Sequence, residues 1–125
     1  MSKLGVMEKC IKEQKDICEK YSQDLFATSE ELKVGIYDNI KSGVMPLHGL
    51  RYFPEGDTSG WYIWAGEYSE ADNFFKPMHI SHLKEYYPEL LKYLALPPGN
   101  RFVIDDKGYE DIWFDEGLLV SDNKR

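Results

Sequence analysis

Apolar residues recur along the first quarter of the chain at Met7, Cys10, Ile11, Ile17, Cys18, Tyr21 and Leu25, and charged residues fill the positions between them. That spacing predicts a helix over Met7 to Leu25 with one buried stripe. In "ATSEELKVGIYDNIKSG", Thr28 and Glu31 have capping-box spacing, and Leu32, Ile36 and Ile40 follow at helical intervals before Ser42-Gly43. A second helix is the expectation there. A short strand in "KVGIY" is the alternative, because Val34 and Gly35 both lower helix propensity.

Beyond Pro46 the period changes to two. "GLRYFPE" and "GWYIWAGE" flank a segment rich in Gly, Asp and Ser, which predicts an antiparallel hairpin with Trp61, Ile63 and Ala65 on one face and Tyr62, Trp64 and Gly66 on the other. The stretch after Gly66 reads as a loop and then two short helices. Ser81 is the expected N-cap of the first, and the second starts at Pro88, whose missing N–H is harmless there. Pro97-Pro98-Gly99 ends it. Strand-like runs on either side of Asp106-Lys107-Gly108 predict a second hairpin. Helices and antiparallel strands without strict alternation imply an α+β fold. The expected architecture is one domain over residues 1–125, with N-terminal helices packed on a small antiparallel sheet built from two hairpins, and two short helices between them.

Charge adds information that the pattern lacks. The formal charge of −7 is uneven: residues 1–48 carry seven Lys against eight Asp and Glu, and residues 49–125 carry eight Lys and Arg against fourteen. An acidic second half disfavours nucleic acid and anionic membranes, both of which need a basic footprint, and favours basic proteins as partners. "MSKLGVMEKCIKEQ" has no apolar run of signal-peptide length and no stretch of the chain has membrane-spanning length, so the expected location is cytoplasmic. Cys10 and Cys18 lie too far apart along the predicted helix to bond to each other and read as small buried residues.

Catalytic signatures are missing. His79 and His82 stand three apart with His48 upstream, but no His-Glu-x-x-His pattern accompanies them; a small hydrolase using these histidines and one carboxylate is the weakest of the readings. There is no nucleophile elbow and no glycine-rich phosphate cradle, so no cofactor is expected. Carboxylate doublets are abundant, at Asp105-Asp106, Glu110-Asp111 and Asp115-Glu116. Neighbours in a strand point to opposite faces, so each doublet offers one member to any given side. Tyr109, Trp113 and Phe114 are interleaved with them. Aromatic anchors with an acidic rim suit a protein-binding surface, since anchors supply contact energy and charge steers the partner.

Particular residues in the second half carry a family likeness: Ser59-Gly60-Trp61, Gly66-Glu67, His79 to Leu83 with Pro88, Tyr93-Leu94 through Pro97-Pro98-Gly99, Arg101-Phe102 and Trp113-Phe114-Asp115. Over about residues 59–119 the chain resembles the bacterial immunity-protein family thirty-three, whose members stand beside polymorphic secreted toxins. The resemblance implies a binding protein without turnover or cofactor, whose partner is a cognate toxin. The expected partner surface comprises Glu67, Glu70, Asp72, Asp106, Tyr109, Glu110, Asp111, Asp115 and Glu116. A housekeeping protein-binding domain is the alternative function, and the aromatic hairpin edge also leaves room for a homodimer.

Overall fold

A computed structural model describes residues 3–67 and 75–120 of the chain. The first helix, α1, spans Lys3–Lys20. It ends earlier than its apolar pattern suggests because Ser22 adopts a left-handed backbone (φ 56°). Gln23 N–H then reaches back to the Cys18 carbonyl at 2.8 Å and Ser22 N–H to that of Glu19 at 3.2 Å, the paired closure that commonly stops a helix. Serine fills the place usually held by glycine, so the sequence carries no stop signal there.

The expected second helix is replaced by a strand. Lys33–Ile36 forms β1, followed by a 3₁₀ turn at Asp38–Lys41. Thr28 does not cap a helix; its hydroxyl donates to the Leu94 carbonyl at 2.7 Å. Two features of the segment favour extended backbone. Val34 is β-branched, and Gly35 lies under the Tyr62 ring, where a Cβ would come within 2.5 Å of Cδ1.

The strands that follow are β2 (Leu47–Arg51), β3 (Thr58–Ala65), β4 (Lys76–His79), β5 (Asn100–Ile104) and β6 (Glu110–Phe114). Among the described residues they make one mixed sheet in the order β4-β1-β3-β2-β5-β6. The two expected hairpins, β2-β3 and β5-β6, are present and join edge to edge through β2 and β5. The expectation of a purely antiparallel sheet from two hairpins needs correction: β1 enters parallel to β3, and β4 pairs antiparallel with β1. Helix α2 covers Ile80–Tyr86 and begins one residue before Ser81, with His79 at the N-cap position and no side-chain cap. Ser81 N–H instead donates to the Glu30 carbonyl. A 3₁₀ helix over Pro88–Tyr93 follows, with proline at its start as expected, and another at Glu116–Leu119 follows β6.

The alternation in β3 sorts the sheet's two faces. Trp61, Ile63 and Ala65 join Phe102, Ile104 and Ile112 beneath the helical elements, in one core with Ile17, Cys18, Leu83 and Leu91. The opposite face carries a smaller cluster of Leu50, Tyr52, Trp64 and Leu118, with Tyr37, Tyr62 and Phe75 packed against it. Cys18 is buried and its thiol donates to the Ala95 carbonyl, while burial raises its pKa.

The interior also holds a cation. Arg51, at the end of β2, is fully buried. Its Nη1 donates to the carbonyls of Phe26, Leu94 and Leu96 at 3.3, 3.2 and 2.8 Å, and its Nε to that of Ser59 at 3.0 Å. The rings of Phe26 and Trp61 lie 4.8 and 5.6 Å from the guanidinium carbon. The Leu94 carbonyl also accepts from Trp61 Nε1 and Thr28 Oγ1. Segment 94–96 is thereby fastened to both central strands.

Candidate partner-binding surface

The β5-β6 hairpin pairs without a break, from Asn100 opposite Phe114 to Ile104 opposite Glu110. Its turn is closed by one carboxylate: Asp105 Oδ1 accepts from the N–H groups of Lys107 (2.8 Å) and Tyr109 (2.9 Å). In-strand alternation then assigns the side chains. Phe102, Ile104 and Ile112 enter the core, whereas Asp111 and Trp113 are exposed on the opposite face.

Glu110 turns toward the helices. Its Oε1 accepts from the Tyr21 hydroxyl at 2.7 Å and from Lys20 Nζ at 3.0 Å, and its Oε2 from the Tyr93 hydroxyl at 2.6 Å. Burial alone would raise its pKa, but the bonds from Tyr93, Tyr21 and Lys20 outweigh that effect and lower it to about 2. Burial and the neighbouring carboxylate push both tyrosines upward. Glu110 therefore ties the hairpin to α1 and to the 3₁₀ helix, and its charge is spent inside the molecule.

The three doublets split in the same way. Asp105 closes the turn, Glu110 anchors the hairpin, and Asp115 accepts from Gly117 N–H through Oδ1 and from Arg101 Nη1 through Oδ2, each at 3.0 Å. The second members, Asp106, Asp111 and Glu116, are exposed, and no described residue takes up their carboxylates. Beside them stand Tyr109, Trp113 and Phe114, with 54%, 39% and 50% of their surfaces exposed. Trp113 and Phe114 are braced. The Arg101 guanidinium lies 5.8 Å from the Trp113 ring centre, and the Phe114 ring covers Gly99, where a Cβ would meet it at 2.5 Å. A shallow cleft of about 230 Å³ between the hairpin turn and the 3₁₀ helix is bordered by Glu89, Lys92, Tyr93 and Tyr109.

Glu67 is exposed just beyond β3. The register places Ala65 opposite Leu47, Leu47 opposite Ile104 and Ile104 opposite Glu110, so Glu67 lies at the same end of the sheet as the Asp105–Tyr109 turn. Glu116 follows β6 at the other end. Glu70 and Asp72 lie outside the described residues.

The three histidines occupy separate places. His48 stacks on Trp64 with ring centres 5.0 Å apart, and burial, with the nearby Arg101 charge, lowers its pKa. His79 Nδ1 lies 3.0 Å from the Glu31 carbonyl, and His82 stacks on Tyr86. Among the described residues, no group of three or more His, Cys, Asp or Glu side chains is placed to hold a metal ion. Nor is any helix there long and apolar enough to cross a membrane.

Sequence reasoning did not single out Arg51, and it read Tyr21 only as part of an apolar stripe and Tyr93 only as part of a family motif, not as donors to Glu110. The available signal for Arg51 was strand alternation, which places it on the same face as the core residue Leu47. No curated protein and no solved structure matches the chain. The model of the Imm33-like domain matches residues 13–115, reaching well upstream of the segment whose motifs carry the likeness and taking in the C-terminal part of α1 and all of β1 and β2. With the match running from α1 through the anchored hairpin to Asp115, the chain belongs to the Imm33-like domain family.

Proposed function

We propose that this protein is a non-catalytic immunity protein that neutralises a cognate bacterial toxin in the cytoplasm, by direct binding through the acidic, aromatic β5-β6 hairpin. Family membership supports the immunity role. The observation that carries the choice of surface is the splitting of the doublets. Asp106, Asp111 and Glu116 are exposed and have no partner among the described residues, beside Tyr109, Trp113 and Phe114 on a hairpin held in place by Asp105, Glu110 and Asp115. A pre-organised surface loses little conformational freedom on binding, and exposed carboxylates steer a basic partner toward the aromatic anchors. Toxins that act on nucleic acid present basic channels of this kind. Glu67 extends the acidic surface at the turn end of the sheet, and the inward members of the doublets contribute by positioning.

The test is co-expression with the product of each adjacent gene in a sensitive host, followed by pull-down. Rescue with a stable one-to-one complex is the expected result, and rescue should be lost when Asp106, Asp111 and Glu116 are all changed to alanine. Unimpaired rescue by that triple variant, at equal protein level, would move the binding surface elsewhere. No rescue by the parent protein beside any neighbour would favour a housekeeping binding role.

A further inference from the structure

The sheet ends in two unlike edges. On β4, hydrogen bonding alternates so that Met78 and Lys76 face β1, because Tyr37 and Lys33 direct their N–H groups to the β3 side and leave Val34 and Ile36 for β4. Pro77 therefore points outward, and proline has no N–H to offer. This edge is four residues long and blunted at its centre.

The other edge carries no such device. Asp105 N–H donates to the Tyr109 carbonyl at 3.1 Å and Asp115 N–H to that of Gly99 at 2.7 Å, so odd-numbered residues of β6 face β5. The antiparallel alternation sends the N–H and C=O groups of Glu110, Ile112 and Phe114 to the outer edge, where no described residue meets them. The strand contains no proline, glycine or lysine, and its register has no bulge. Trp113 stands exposed on one side of this edge and Phe114 on the other.

Resting on the proposed immunity role, we infer that β6 is a docking strand: an extended, basic segment of the toxin adds to its outer edge, taking up the backbone groups of Glu110, Ile112 and Phe114. Charge selects this occupant over a second copy of the chain. A two-fold antiparallel pairing centred on Ile112 would set the Asp105-Asp106 end of one copy against the Asp115-Glu116 end of the other, between molecules of charge −7 each. A strand carrying Lys or Arg opposite Asp111, with apolar residues against Trp113 and Phe114, meets no such repulsion.

The experiment is residue-resolved hydrogen exchange on the full protein, alone and in complex with the rescuing product of the adjacent gene. Expected on binding is slowing of the Glu110, Ile112 and Phe114 amides by roughly a hundredfold or more, with little change at Asp111 and Trp113, which already bond to β5. A second measurement compares Phe114→Pro with Phe114→Ala: proline removes an outward N–H and no ladder bond, so it should weaken binding about five- to tenfold beyond alanine. A stable complex with unchanged exchange at the three amides overturns the docking strand and leaves the immunity role intact. Protection that rises with the protein's own concentration, together with a dimer in solution, overturns it in favour of a second copy. Failure to rescue or bind removes the immunity role, and this inference with it.

Discussion

Arg51 and Glu110 perform the same task with opposite charges at different depths. Each fastens helical or loop backbone to a strand. Arg51 lies in the interior with no carboxylate among the described residues paired to it, its Nε and Nη1 donate to four neutral carbonyls, and two aromatic rings lie beside the guanidinium carbon. Burial lowers its pKa to about 10, so it stays charged at neutral pH. Glu110 sits near the rim, where two tyrosine hydroxyls and one lysine surround it. Depth sets the cost of losing each: a buried charge and its cage are expensive to separate, whereas groups at the rim can turn to water.

The strongest test of this contrast is Arg51→Met. Methionine fills much of the volume but strands the carbonyls of Phe26, Leu96 and Ser59 in the interior, while Leu94 keeps Trp61 and Thr28. The expected loss is about 3–5 kcal/mol in urea unfolding. Arg51→Lys should recover little of it, since an ammonium cannot spread its donors over carbonyls on separate segments. A fully stable Arg51→Met variant would show that the interior does not depend on the cation.

Glu110→Gln probes the rim. The folded pKa lies below the ordinary carboxylate value, so the ionised form stabilises the fold; that contribution is complete above the unfolded pKa of 4.5 and is lost as pH falls toward about 2. Allowing for partial solvent screening, the contribution is about 1–2 kcal/mol. Glu110→Gln should cost that amount at pH 7 and flatten the dependence of unfolding free energy on pH between 4.5 and 2. If the parent and the variant lose stability in parallel across that window, other carboxylates account for the acid sensitivity.

Smaller effects are expected at the other inward members. Asp105→Ala leaves the turn N–H groups of Lys107 and Tyr109 to solvent, and Asp115→Ala removes the cap on Gly117 and the partner of Arg101. Each should lower stability by about 1 kcal/mol in thermal unfolding.

How far the fold could be read in advance follows the range of its interactions. Both hairpins were legible, because strand alternation and turn residues are local, and so were the core face of Trp61, Ile63 and Ala65 and the helix start at Pro88. β1 was legible only as the alternative to a helix in "KVGIY", since Leu32, Ile36 and Ile40 also fit a helical period, and the strand's parallel place beside β3 is settled by a segment more than twenty residues away. β4 contains Pro77, which reads as loop until its position on an outer edge is known. In the candidate surface, alternation announced that each doublet would divide. Which member would turn inward depended on Tyr21 and Tyr93, contributed by elements 89 and 17 residues from Glu110.

The smallest expected change in stability carries the most functional information. Asp106, Asp111 and Glu116 are exposed and their carboxylates have no partner among the described residues, so alanine at all three should shift the unfolding free energy by less than about 0.5 kcal/mol. The same substitutions should slow association with the proposed toxin partner and reduce the dependence of that rate on salt, because steering by exposed charge is screened over about 10 Å at 0.1 M ionic strength. Stopped-flow association at two salt concentrations measures both quantities. The inward members predict the reverse: Glu110→Gln should lower stability while leaving the salt dependence of association nearly unchanged. Should the outward triple variant lose stability and keep its association rate, the division of labour within the doublets would be inverted, and the acidic face would belong to the fold and not to the partner.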